Sequence, residues 1–410
     1  MTTGARLAGR LRRAREECGL SQQQVADALG LPRTSLSKME GGTRNVSTLE
    51  LTKLIDLYGF PASYFLASDD EPRPEDMIHV LRRAVPEMAR DPEVGHAVRF
   101  GATLCREGAS LRRLLGGAVE PAVPNYAART ASASDAIRQG EAIAREERRR
   151  LGLGDTPVSN MADLVDDQGI WTAATHLPDS LSGLFVNHAA AGFAIMVNRR
   201  HGPVRQRFAY AHEYAHALFD RSRTVVTSRR DNASERGETR ANAFAAAFIM
   251  PPGGVAERLR RIGKGRPSRH TRAFFDVAND VVTGAVVRER PGSQRITYAD
   301  VGEIARHFKV GFEAALSRLK SLKHTSAAES AALLDQRDIG NRYIRLLGEP
   351  GRTGARDADG HRHLRAQIVR LVIEAFRQEA ISRGRLLEIG RKLAIDDGEL
   401  LDLAWAARPY

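Results

Sequence analysis

Apolar residues recur at three- and four-residue spacing along most of the chain, the period of an amphipathic helix. In the first 66 residues the pattern appears four times, in LAGRLRRAREECGL, QQQVADALGL, RTSLSKMEGG and STLELTKLIDLYGF. Gly19, Gly30, Gly41-Gly42 and Gly59 fall at or just past the predicted helix ends. A left-handed residue closes a last turn there at little steric cost. Helical spacing returns over 78–117, 135–153, 205–219, 238–249, 297–334 and 364–404. Two runs depart from it. LSGLFVNH (181–188) and GFAIMVN (192–198) are strand-like runs of strand length. The expected fold class is therefore mainly α, α+β overall, with a helical N-terminal unit, a small β-sheet and a helical C-terminal region.

Breaks in the pattern suggest boundaries. The stretch 67–77, ASDDEPRPEDM, is acidic and proline-bearing, 116–134 is rich in small residues and proline, and 348–363 is hydrophilic. The expected units are 1–67, a linker and helical connector over 68–134, a central domain over 135–262, a basic segment with a helical subdomain over 263–335, and a helical interaction domain over 336–410.

Composition narrows the class. Of 410 residues, 42% are hydrophobic and 27% charged, an ordinary globular mixture. No apolar run approaches the roughly 18–20 residues of a membrane span. The arginine-bearing N-terminus lacks the apolar core of a signal peptide. A cytoplasmic location without membrane association is expected. Two cysteines, Cys18 and Cys105, exclude a disulfide framework and a cysteine-rich metal site within one chain. The net charge of +12 favours polyanionic partners. The basic residues are 7 lysines and 55 arginines, a skew that a GC-rich coding sequence also explains.

Residues 21–42, SQQQVADALGLPRTSLSKMEGG, have the layout of a helix-turn-helix. Ser21 is placed to cap the first helix, Val25, Ala26 and Leu29 form its apolar face, and Gly30 makes the turn. Leu36 and Met39 anchor the second helix, leaving Arg33, Thr34, Ser35, Ser37 and Lys38 pointing away from the core. Such side chains donate to base edges or phosphates. A small helical interaction domain fits the same pattern. Residues 5–66 resemble the XRE-like, repressor-type helix-turn-helix family. The resemblance places Gln22 and Arg44 at backbone contacts of double-stranded operator DNA, Arg33, Thr34 and Lys38 at base-reading positions, and Glu40 at a structural one. It also implies a homodimer on paired half-sites.

Candidate chemistry lies in AHEYAHALFD (211–220). Residues i and i+4 share a helix face, so His212 and His216 can present two imidazoles to one ion. Catalytic zinc takes three protein ligands and keeps an open position for water. Glu213, beside the first histidine, is placed to take a proton from that water. The extended metzincin motif fails, because Phe219 and Ser222 stand where glycine and a third histidine would be needed. A carboxylate on a following helix is then the third ligand, and Glu238 and Glu235 both qualify. Histidine and carboxylate also accept Mn2+ or Fe2+. An ordinary helix whose histidines are satisfied by hydrogen bonds is the competing reading.

The stretches RQRFAYAHEYAHALF (205–219) and ETRANAFAAAFIMP (238–251) resemble the two hallmark helices of the ImmA/IrrE family of zinc metallopeptidases. The resemblance covers about 135–252. It implies a zincin-like fold with a gluzincin-like site, Zn2+ held by His212, His216 and Glu238, and Glu213 as general base. The family's register selects Glu238 over Glu235. It further implies a narrow endopeptidase that cleaves a repressor, here the chain itself or a partner, under stress. Two other functions compete. One is a non-proteolytic, ligand- or metal-sensing regulator. Known acyl-CoA sensors of this domain order carry a cysteine-rich region, which two cysteines cannot reproduce. The other is a repressor with a structural metal, for which Glu213 would be superfluous. The segment 296–326 again has a helix-turn-helix pattern and is expected to pack over the central domain.

Overall fold

The computed structural model describes residues 3–18, 20–58, 62–66, 77–118, 121, 123–128, 130–229, 231–232, 234–265, 269–276, 281–288, 293–348 and 362–406. All but the last residue of the proposed linker at 67–77 and most of the hydrophilic stretch at 348–363 lie outside the described residues.

Five helices form the N-terminal unit: α1 (Thr3–Glu17), α2 (Gln22–Leu29), α3 (Arg33–Glu40), α4 (Thr48–Tyr58) and α5 (Ala62–Leu66). The Ser21 hydroxyl accepts from the Gln24 amide, and the Gln24 side chain accepts from the Ser21 amide, a reciprocal cap. Gly30 takes the left-handed conformation at φ 68° that starts the turn into α3. Leu11, Val25, Ala26, Leu36, Met39, Leu54 and Tyr58 close a core of their own.

Most of the other described helices cover the two faces of one four-stranded sheet. A connector of α6 (Met77–Ala84), a 3-10 turn (Pro86–Ala89) and α7 (Pro92–Leu114) leads to α8 (Ala133–Arg150) and α9 (Met161–Asp166). Strands β1 (Trp171–Thr175), β2 (Leu181–His188) and β3 (Gly192–Asn198) precede α10 (Pro203–Phe219). β4 (Val225–Arg229), α11 (Arg236–Ile249) and α12 (Pro252–Arg261) follow. Sheet order is β1-β3-β2-β4, with β1 parallel to β3 and the other pairs antiparallel. A register shift interrupts the β2–β4 pairing between Leu181 and Gly183.

Successive side chains of a strand point to opposite faces. Phe185, Phe193, Ile195 and Val197 join the core that contains α8, α10 and α11. Leu184, Val186, Ala194 and Met196 enter a second core with Leu81, Val98 and Leu104. Burial on both faces explains why these strands read as continuous apolar runs rather than alternating ones.

Two further elements interrupt the helical C-terminal half: β5 (Arg269–Asp276) and β6 (Val281–Arg288) form an antiparallel pair within the segment expected only to be basic. Charged residues in β5 obscured its strand character. β1 and β4 were likewise not anticipated, since each has only five residues.

Helices α13 (Tyr298–Phe308), α14 (Phe312–Ser321), α15 (Ala327–Leu334) and α16 (Arg337–Leu346) follow. Ile304, Phe308, Phe312 and Leu319 extend the core around α10 and α11. The buried Arg318 donates to the Met250 carbonyl at 3.1 Å. The helix-turn-helix-like pattern thus packs over the central domain, as expected. Helices α17 (Arg362–Arg377), α18 (Arg383–Lys392) and α19 (Asp397–Ala406) bring Leu364, Ile368, Val372 and Leu386 into the second core. Connector and C-terminal helices therefore cover the same face of the sheet. No helix among the described residues is long and apolar enough to cross a membrane.

Helix α8 packs closely on α11. A Cβ on Gly140 would lie 2.4 Å from the Arg240 carbonyl oxygen and 2.9 Å from the Phe244 amide nitrogen. Neither backbone atom can move without displacing α11. Gly140→Val should cost about 1–3 kcal/mol by overpacking, seen as a lower melting temperature by circular dichroism. An unchanged melting temperature would contradict this approach.

Candidate metal centre and DNA-reading surface

Helix α10 begins at Pro203, where a missing amide proton costs nothing. Its second half is buried along every side, from Ala209 to Phe219. His212 and His216 lie one turn apart with ring centroids 5.0 Å from each other. Glu238 sits in the first turn of α11, which crosses α10. Its Oε2 is 3.1 Å from His212 Nε2, and its Oε1 is 3.3 Å from His216 Nε2. The two Nε2 atoms are 3.2 Å apart. One ligand atom from each of the three residues falls within 4.8 Å of the others. The three expected ligands thus converge, while Glu235 stands at the N-cap of α11 and is exposed.

The outer nitrogens are held too. His212 Nδ1 meets Asn242 Oδ1 at 3.0 Å, and His216 Nδ1 meets Asp220 Oδ2 at 2.8 Å. Arg240, 3% exposed, donates to both Asp220 oxygens at 2.9 and 3.1 Å. Such partners fix ring orientation and leave Nε2 as the ligand atom. Burial would raise the Glu238 carboxyl, but its bonds to His212 and His216 prevail and bring it down to about 2. Burial likewise works against a charged His216, yet Asp220 and Glu238 raise it to about 9.

Glu213 is different. It is fully buried, and neither carboxylate oxygen has a hydrogen-bond partner among the described residues. Burial pushes its carboxyl up, and the two imidazoles and the Ser228 hydroxyl oppose this without reversing it. The side chain faces Gly183 of β2, where a Cβ would come 2.7 Å from Glu213 Oε1. Glycine at 183 is what lets this carboxylate stand against the sheet. Sequence reasoning missed Gly183, Asp220 and Arg240. Asp220 had a signal, since it follows His216 by four residues; Gly183 had none. Tyr214, between the histidines, turns away from the cluster and donates to Glu147 at 2.7 Å.

On the N-terminal unit, Arg33, Thr34 and Lys38 are exposed on α3, and Ser35 is half-buried. Gln22 donates to Glu40 at 2.9 Å, and Arg15 grips the buried Glu40 at 2.6 and 3.0 Å. That holds α1, α2 and α3 in one arrangement. Arg44 is committed to Glu50 at 2.8 Å.

A family model described as a helix-turn-helix domain matches residues 6–63. The peptidase M78 model, described as an IrrE N-terminal-like domain, matches residues 165–276, which include β1–β4, the two histidines, Glu213 and Glu238. The chain carries a helix-turn-helix domain and an IrrE-like domain. No curated protein matches it. The IrrE-like match spans the sheet and both helices that supply the cluster, so the cluster belongs to that domain.

A buried carboxylate with no partner is costly, about 1–3 kcal/mol or more for a charged group. Metal-free protein carrying Glu213→Gln should therefore melt at a higher temperature than wild type at neutral pH, measured by calorimetry in the presence of chelator. An equal or lower temperature would mean that the carboxylate has found a partner.

Proposed function

We propose that the protein is a DNA-binding transcriptional regulator whose IrrE-like domain is a zinc-dependent endopeptidase. It cleaves itself or a partner repressor in response to stress. The observation that carries the reading is the convergence of His212, His216 and Glu238 on one point, with the unpartnered Glu213 beside them. Two imidazoles and a carboxylate suit Zn2+, and the same donors accept Mn2+ or Fe2+.

His212, His216 and Glu238 hold the ion, and Asn242, Asp220 and Arg240 keep those ligands oriented. Bound Zn2+ supplies a Lewis acid that makes a water more acidic and polarises a peptide carbonyl. Glu213 accepts the proton from the attacking water and returns it to the departing amine nitrogen. Its burial favours the first transfer, since desolvation makes the carboxylate a stronger base towards the proton of the water. Exposed Arg33, Thr34 and Lys38 read base edges, Ser35 adds a hydroxyl, and Gln22 and Arg44 contact the phosphate backbone. A homodimer would present two such helices to paired half-sites in double-stranded DNA.

One observation favours a second reading, a non-proteolytic regulator that senses a metal or ligand. His212, Glu213, His216 and Glu238 are all at most 5% exposed, so a peptide has little access to them.

The deciding experiment compares new protein N-termini in cells expressing wild type or Glu213→Gln, with and without DNA damage or metal stress. A new N-terminus found only with wild type is expected. Equal profiles under every stress would discard the peptidase in favour of the sensor. Separately, Arg33→Ala should weaken binding to a duplex selected by the wild-type protein from a random pool by about 1–3 kcal/mol and relax preference at one position. Undiminished affinity in a fluorescence titration would remove Arg33 from the interface.

A further inference from the structure

Away from the metal centre, a cleft of about 340 Å³ opens where α7, the end of β1, the residue after β3, α17 and α18 meet. Its size falls within the range of small-molecule sites. Three cations line it: Arg199, Arg365 and Lys392. Glu93 is the one carboxylate among the lining residues, and it is occupied by His176 at 2.7 Å. Lys392 bonds Glu107 at 2.9 Å and Glu388 at 3.0 Å, which engages two of the three donors of an ammonium.

Thr175 is a second and independent indication. It lines the cleft, is 0% exposed, and its hydroxyl has no hydrogen-bond partner among the described residues. A buried hydroxyl without a partner costs free energy that a bound acceptor would offset. On the α7 side, the Phe100 ring carries the Arg365 guanidinium at 5.5 Å from its centroid and the His96 ring stacked at 6.3 Å and 8°. This wall presents planar groups, one of them the Arg365 cation. The opposite wall is held rigid, because Asn198 donates to the carbonyls of Leu177, Pro178 and Leu181 at 3.1, 2.9 and 3.0 Å. The Arg199 amide bonds the Thr175 carbonyl at 2.9 Å.

Guanidinium groups, an ammonium and a hydroxyl around one space match the acceptor oxygens of a phosphate. We propose that this cleft binds the phosphate group of a small molecule. The site is separate from both the metal cluster and the DNA-reading helix. It is built by the connector, the sheet and the C-terminal helices together.

The test is calorimetric titration of the full chain with inorganic phosphate and with adenosine monophosphate at fixed ionic strength. Saturable binding of one equivalent is expected. Tighter binding of the nucleotide would identify an ester with a planar group as the ligand, and equal affinities would identify free phosphate. Arg199 is exposed, so Arg199→Gln should fold normally and weaken binding about tenfold, the effect of one lost charge-assisted bond. Thr175→Val, close in shape, should also weaken it. Arg33→Gln should change nothing here. The proposal fails if neither probe binds at millimolar concentration. It also fails if Arg33→Gln abolishes binding while Arg199→Gln does not, because the anion would then sit on the DNA-reading surface.

Discussion

Four ionisable side chains are withdrawn from water in the space between one sheet and two helices, and the central domain is arranged around that constraint. Each of His212, His216 and Glu238 is compensated by the others and by Asn242, Asp220 and Arg240. Breaking such a group by removing one member leaves another polar atom buried without a partner, which is why these networks are all-or-none. Below the same helix, Glu147 accepts from Tyr126 at 2.9 Å and from Tyr214 at 2.7 Å and is paired by Arg150 at 2.8 Å. The residue between the two histidines thus fixes α10 to α8. Glu213 alone is left uncompensated. Within the group of four it is the one carboxylate with both oxygens buried and without a hydrogen-bond partner among the described residues.

The second constraint is the sheet. Its two cores cannot be separated without exposing one face of β2 and β3, so the connector and the C-terminal helices are part of the body that carries His212, His216 and Glu238. α6 is shared further still. Met77 and Leu81 belong to the second core, whereas Ile78 joins the core of the helix-turn-helix unit. Arg82 on the same helix donates to Cys18 Sγ at 3.1 Å. The two functional halves of the chain therefore meet along one short amphipathic helix.

What was legible in the sequence was what is local. His212, Glu213 and His216 are set by helix period alone, and Ser21 with Gln24 and Gly30 announce the first turn of the DNA-reading motif. Glu238 needed more, because spacing admits Glu235 equally; the register of the resembled family chose Glu238, and the packing of α11 on α10 buries Glu238 beside the histidines and leaves Glu235 exposed at the N-cap. Gly183 was invisible, since nothing in LSGLFVNH says which residue will face a carboxylate 30 positions later. The covering of the sheet by α7 and α17 was invisible for the same reason. Those helices are far apart in sequence, and their apolar stripes do not say what they bury. Short strands with polar residues, such as β1 and β4, carry too few positions for a period to show.

β4 brings these threads together. Alternation along it puts Val226 and Ser228 on the α10 side, with Ser228 near Glu213, and turns Arg229 to the other face. There Arg229 pairs with both oxygens of Glu87 at 2.8 and 3.0 Å and donates to the Ala84 carbonyl at 3.3 Å. Ala84 ends α6, the helix that Ile78 anchors in the N-terminal core. Neighbouring residues of one edge strand thus address the metal cluster and the base of the DNA-binding unit. A strand cannot shift its register by one residue without exchanging its two faces. A shift of β4 by one residue would therefore break the Arg229–Glu87 pair as well as turn Ser228 away from Glu213.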